Sequence, residues 1–152
     1  QFLGTKGFFT GYQARPDETV SRELGAHWMA LCLKTAGVPV GTRGRSRREW
    51  ADVGPGSPLE SDTIVLEAAG VLNPESGERF NPSGPLERQE FQNWVCAAGK
   101  RMRLWDPKTD CRRPAEAWNR LGLEPRFEPG PGTVTRGEFC RTAFALLEKA
   151  GI

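Results

Sequence analysis

The chain has 152 residues, enough for one domain, and its 21 Lys and Arg against 19 Asp and Glu leave a net charge of +2, which argues against a general nucleic-acid binder. With 18 Gly and 12 Pro, elements are short and turns frequent. No apolar run reaches the roughly 18 residues of a membrane helix and no basic-then-apolar leader occurs, so neither a membrane span nor a signal peptide is expected within these residues; the opening at Gln1 reads as a cut from a longer chain.

Apolar spacing predicts helices near 20–36, 59–69, 86–103, 113–121 and 134–150, an all-α single domain over 1–152. In the first helix Leu24, Trp28, Leu31 and Cys32 share a face, and Ser21 stands where its side chain can cap the start. Residues 41–48 then form a basic linker, in which Arg43, Arg45, Arg47 and Arg48 are either a solvated run or a patch for a polyanion. The second helix ends in Leu66-x-x-x-Gly70-Val71, where Gly70 can turn left-handed and Val71 fold back on the last turn. The third carries Phe91, Trp94, Val95 and Ala98 on one face, with Glu87 and Glu90 at its positive end. A short fourth helix carries Trp118 before Gly122. The fifth opens with the capping box Thr135-x-x-Glu138 and carries Phe139, Ala143, Leu146 and Leu147. These stripes, with Trp28 and Trp94 each six residues after an Arg, read as core.

The order of landmarks recurs. An apolar residue four before a Gly, an apolar residue after it, a turn ending in Pro and a step into an Arg-bearing helix appear as Leu3/Gly7/Phe8/Pro16/Arg22, Leu66/Gly70/Val71/Pro82/Arg88 and Trp118/Gly122/Leu123/Pro129/Arg136. The distance from Gly to Pro varies, whereas that from Pro to Arg stays at six or seven residues, so variation sits in the loop. Units over about 1–37, 50–99 and 104–152 result. A lone unit of this size cannot bury its apolar face, so three copies are expected to shield one another around a common axis.

Catalysis has little support. His27 is the sole His and is expected at a helix surface or edge, without a Ser/His/Asp or Cys/His set. Cys32, Cys96, Cys111 and Cys140 include no CxxC, so a zinc site is not expected; they fit two disulfides in an exported chain or four thiols in a cytosolic one. Gly54-Pro55-Gly56 and Gly130-Pro131-Gly132 lack the central N–H of a phosphate cradle, and no nucleotide fingerprint or Asp-x-Asp calcium pattern occurs. No cofactor and no metal are expected.

Trp50-x-Asp52-Val53, Leu66-x-x-x-Gly70-Val71, Phe80-x-Pro82 and Pro85-Leu86-x-Arg88-x-Glu90-Phe91 resemble an S-layer homology repeat, and the likeness covers nearly the whole chain as two and a half to three copies. The resemblance implies three helix-loop-helix repeats in a pseudo-threefold spindle. It further implies a bacterial cell-surface location and non-covalent anchoring of a larger, fused upstream protein to an acidic cell-wall polysaccharide. The chain departs from the family where Leu24 replaces the helix-start Glu, where the Gly-Tyr-x-Asp-Gly-x-Phe loop is degraded, and in the basic linker. The opening Phe2-Leu3-Gly4-Thr5-Lys6-Gly7-Phe8-Phe9 and Ala14-Arg15-Pro16-Asp17 also look like the C-terminal tail of bacterial FAD-dependent oxidoreductases, which implies an accessory or assembly domain.

Candidate ligand contacts are Arg22, Arg88 and Arg136, whose guanidinium groups at helix starts suit a carboxylate on a sugar chain, with Trp50, Trp105 or Tyr12 to stack on a sugar face and Asp52 and Asp106 as further sugar contacts. The competing reading pairs each Arg with Asp52, Asp106 or a Glu of a neighbouring unit, stitching the units together. A second copy of the chain is a further candidate partner.

Overall fold

The computed structural model describes residues 18–38, 52–54, 56–72, 79–106, 108–109, 111, 113–120 and 132–151. Among these the regular elements are helices: α1 (Arg22–Thr35), α2 (Pro58–Ala68), α3 (Arg88–Arg101), α4 (Pro114–Arg120) and α5 (Arg136–Lys149). The described residues hold no strand, and the fold class is all-α.

Local chemistry explains the helix ends. Ser21, Ser57 and Thr135 are extended, and their side-chain oxygens accept from the backbone N–H of Leu24 (3.1 Å), Glu60 (3.3 Å) and Glu138 (3.2 Å), satisfying donors that have no partner within the helix. At the end of α2, Gly70 adopts φ 79° and Val71 N–H returns to the Leu66 carbonyl at 2.8 Å, the C-cap that the sequence predicts. The corresponding ends at Gly7 and Gly122 lie outside the described residues. The capping box at α5 is only half formed: the Glu138 carboxylate accepts from the Thr135 hydroxyl (3.4 Å) and from Arg88, a partner across the molecule.

The three long helices that carry the arginines start two residues later than their apolar spacing predicts, for a shared reason. Val20, Leu86 and Val134 lie in extended stretches that bond to one another. Val20 N–H donates to the Val134 carbonyl (2.8 Å), Val134 N–H to Leu86 (2.9 Å), and Leu86 N–H to Val20 (2.9 Å), which closes a ring. The first helical residues continue the pattern: Arg22 N–H donates to the Gly84 carbonyl (2.9 Å), Arg88 N–H to Gly132 (2.9 Å) and Arg136 N–H to Glu18 (2.8 Å). Since Val20, Leu86 and Val134 are fully buried, these bonds supply partners that water cannot.

Around the ring, Phe91 and Phe139 meet at 4.7 Å between centroids, and Trp28 meets Phe139 edge-on at 5.4 Å. Gly25 follows Arg22 at the position that Phe91 and Phe139 hold after Arg88 and Arg136. A Cβ there would lie 2.9 Å from Leu86 Cδ2 and 3.6 Å from Phe139 Cε2, so the centre has room for two such rings and no third. Trp28 and Trp94 are both buried, as core positions.

Helix α1 packs on α2 and on α5, and α3 packs on α4. The α3 side of the last contact is reinforced by a disulfide between Cys96 and Cys111 and by Trp105, whose Nε1–H donates to the Cys96 carbonyl at 2.9 Å. Gly99 allows the indole onto the helix, for a Cβ there would overlap the Trp105 ring. The cysteines thus form neither two disulfides nor four thiols. Cys32 and Cys140 stay reduced, and burial pushes their thiols up to about 12 and about 11, which keeps them protonated and unreactive.

Candidate functional site

The ring brings Arg22, Arg88 and Arg136 to matching places, each two residues beyond a ring member and at the first turn of its helix. Two of the three guanidinium groups are tied to the next arginine-bearing helix. Arg22 pairs with Glu90 of α3, donates from Nε to the Phe80 carbonyl at 2.6 Å and lies 4.8 Å over the Phe80 ring. Arg88 donates from Nη2 to both carboxylate oxygens of Glu138 in α5, at 3.3 and 3.4 Å. By the same step Arg136 should meet residue 24 of α1, and that residue is Leu.

Arg136 is therefore held differently. Its guanidinium carbon lies 5.8 Å from the centre of the Trp28 ring, and its Nε is 3.9 Å from Glu18 Oε2, an ion pair too long for a hydrogen bond. The Nε atom is buried without a hydrogen-bond partner. A buried, unbonded donor on a cation is costly, and the carboxylate of Glu18 offsets the charge without completing the hydrogen bond.

The other expected contacts are engaged locally. Asp52 accepts from the backbone N–H of Phe80 (2.7 Å) and Asn81 (2.8 Å), clamping the loop before α3. Desolvation raises its pKa, but those two N–H groups and the charge of Arg79 outweigh it and hold the carboxyl below its usual range. Asp106 accepts from Lys108 N–H at 2.7 Å in a local turn. Neither Asp is the partner of an arginine found here; Glu90, Glu138 and Glu18 are. Trp105 has its N–H occupied by Cys96 and its ring against Gly99. Trp50, Tyr12, the basic run Arg43 to Arg48 and the opening through Asp17 lie outside the described residues.

Sequence reasoning missed one pair. His27, half exposed on α1, places Nδ1 at 3.1 Å from Oδ2 of Asp62, a buried residue of α2. Burial raises the Asp62 pKa, and His27, the nearer cation-forming group, counters it. The expected edge position of His27 is correct; its carboxylate partner was not foreseen.

Among the described residues no cluster of three or more His, Cys, Asp and Glu side chains is placed to hold a metal ion, and no helix is long and apolar enough to cross a membrane. No protein-family model matches the chain, and no curated protein is similar to it in sequence.

Proposed function

We propose that the chain is a non-catalytic module of the S-layer homology kind, built from three helix-loop-helix repeats about a pseudo-threefold axis, that holds a fused upstream protein to an acidic cell-wall polysaccharide. The observation that carries this reading is the closed ring through Val20, Leu86 and Val134, with Arg22, Arg88 and Arg136 each two residues beyond it. Three copies of one unit exchanging equivalent hydrogen bonds produce such a ring, whereas unrelated helices have no reason to repeat the same bond at the same offset. The contacts of α1 with α2 and of α3 with α4 also support it, since each joins the second helix of one unit to the first helix of the next.

Within this reading the arginines divide their work. Arg22 and Arg88 stitch units together through Glu90 and Glu138. Arg136 serves as the polysaccharide contact, because Leu24 stands where its counterparts meet the Glu of the next arginine-bearing helix. The disulfide supports an exported location, where such bonds persist.

Sedimentation of the chain with bacterial sacculi carrying acidic polysaccharide tests the assignment. A charge-assisted hydrogen bond contributes about 1.5–3 kcal/mol, so Arg136→Ala is expected to lower retention roughly tenfold or more while leaving the melt intact. Leu24→Glu, which supplies the missing carboxylate from within, is expected to weaken retention as well. Equal retention of wild-type chain and Arg136→Ala defeats the reading.

A further inference from the structure

We infer that the end of the molecule formed by the last turn of α3 and the segment fastened to it is a docking surface for an anionic lipid bilayer, held by charge and without insertion. From Lys100 to Arg113 the chain has six Lys and Arg against Asp106 and Asp110, a local charge of +4 in a chain whose total is +2. All the rest of the chain therefore carries −2, so the positive charge is concentrated in one segment. The bond between Cys96 and Cys111, whose Cα atoms lie 5.7 Å apart, and the seat of Trp105 on Gly99 fold that segment back beside the end of α3. Cations from both sides of the turn are thus gathered at one end. Arg101 is the last of the 14 residues of α3, which puts this end about 20 Å from Arg88 and the ring beside it.

The simplest alternative assigns these cations to the negative end of the helix dipole. That end carries about half a charge, too little to balance the patch, and Arg103, Lys108 and Arg113 lie outside α3. Arg101, Arg103, Lys108 and Arg113 are exposed. Arg113 has a surface ion pair with Glu116 at 3.6 Å, and among the described residues no carboxylate pairs with the other three. Arg103 is the telling member. Gly37, Gly70 and Gly151 hold the left-handed position past the ends of α1, α2 and α5, where a Cβ would meet no atom within 4 Å, so backbone conformation alone favours glycine there. After α3 the same position is Arg103, at φ 61°. A cation kept where glycine would make the turn at lower cost is kept for what its side chain does outside the fold.

The surroundings of the cations select the partner. Met102, Leu104 and Trp105 are half-buried against the core, so among the described residues of the patch no apolar side chain is free to insert and the attraction is coulombic. The Trp105 ring is engaged by Gly99 and is not offered to a base, which disfavours nucleic acid. A polymer with charges at fixed spacing asks for guanidinium forks held in place, as Arg88 is held by Glu138, whereas Arg101, Arg103 and Lys108 are long, exposed and unpaired among the described residues. Lipid headgroups diffuse and can gather beneath such cations wherever they reach, and a cluster of about four to eight Lys and Arg is the size that holds a protein to an anionic leaflet. The inference goes beyond the polysaccharide reading and uses neither the ring nor Arg136.

Sedimentation of the intact, disulfide-bonded chain with vesicles of phosphatidylglycerol and phosphatidylcholine in equal parts, against vesicles of phosphatidylcholine alone, tests it. Partitioning to the anionic vesicles only is expected, with release on raising the salt. Each Lys or Arg near an anionic surface is worth about fivefold in partitioning, so Arg103→Gly should lower it about fivefold and the double variant Arg101→Gln, Lys108→Gln about 25-fold. Arg103→Gly is also expected to melt above wild type, which separates its loss of binding from misfolding. No binding to the anionic vesicles, equal binding to phosphatidylcholine, binding that resists salt, or unchanged partitioning in the folded variants overturns the assignment. Stripping of the chain from the vesicles by an equal charge of duplex DNA overturns it by making nucleic acid the better partner. A matching fall in sacculus retention for Arg103→Gly overturns it by giving the patch to the polysaccharide, whereas loss of retention in Arg136→Ala alone leaves it standing.

Discussion

Asp52 was expected to meet a sugar or an arginine, and it instead accepts two backbone N–H groups from the loop that leads into α3. Its lowered pKa makes the contribution pH-dependent. A carboxyl whose folded pKa lies below its unfolded value of 3.8 stabilises the fold above that value and loses the effect as pH falls through the folded pKa. Asp52→Asn should therefore melt below wild type at pH 6, and the gap should close as thermal melts are repeated downward through pH 3.8 and below. A constant gap across that range would assign the loss to shape instead of charge. The case also shows what a single residue's letter withholds. Trp50-x-Asp52 is legible as a landmark, but the bonding partners of Asp52 lie 28 and 29 positions away and depend on where the loop lands. Arg22, Arg88 and Arg136 were legible as a set. Their different circumstances follow from residues on other units, and only the substitution of Leu24 for Glu hinted at them.

At the scale of helices, the sequence is most informative where the physics is local. Ser21 and Thr135 cap as expected, Gly70 ends α2 as expected, and the stripes on α3 and α5 are buried. The helix starts were misplaced because one buried apolar residue in an extended stretch cannot be told from the first residue of a helical face by spacing alone. Helix α3 ends at Arg101, and Arg103, just past its C-cap Met102, takes the left-handed conformation at φ 61° that Gly37 and Gly70 take after α1 and α2. A residue with a Cβ is disfavoured there by about 1–2 kcal/mol, part of which Gly returns through its larger unfolded entropy. Arg103→Gly, at an exposed position, is thus expected to stabilise by about 1 kcal/mol and raise the melting midpoint by about 2–4 °C. Beyond that end, Cys96 and Cys111, 15 residues apart, fasten the following segment back onto the helix. Reducing this bond should cost about 3 kcal/mol in the chain-entropy account. Denaturant titrations with and without reductant check it, and a negligible difference would show that Trp105 on Gly99 suffices to hold the segment.

At the scale of the whole molecule, the recurrence of Gly, Pro and Arg could be read from the sequence, but the hydrogen bonds that join the three arginine-bearing segments could not. Val20, Leu86 and Val134 are ordinary apolar letters, and their pairing is long-range in every case. The pairing of His27 with Asp62 was hidden for the same reason, since it depends on α1 and α2 lying side by side. If the ring is the common support of the fold, its three amides should exchange with solvent only through global unfolding and should share one opening free energy. Native-state hydrogen exchange under increasing denaturant measures this. An amide of the ring that opens far earlier than the other two would mean that one unit detaches on its own.

The ring also constrains how the protein is made. Its members are delivered by the ribosome at widely separated times: Leu86 can reach the Val20 carbonyl as soon as it emerges, but Val20 has no acceptor until Val134 follows, so the ring closes last. Nascent chains holding only the first two arginine-bearing helices would keep greasy surfaces uncovered, and a cell that produces this protein would need a way to shelter them until synthesis is complete.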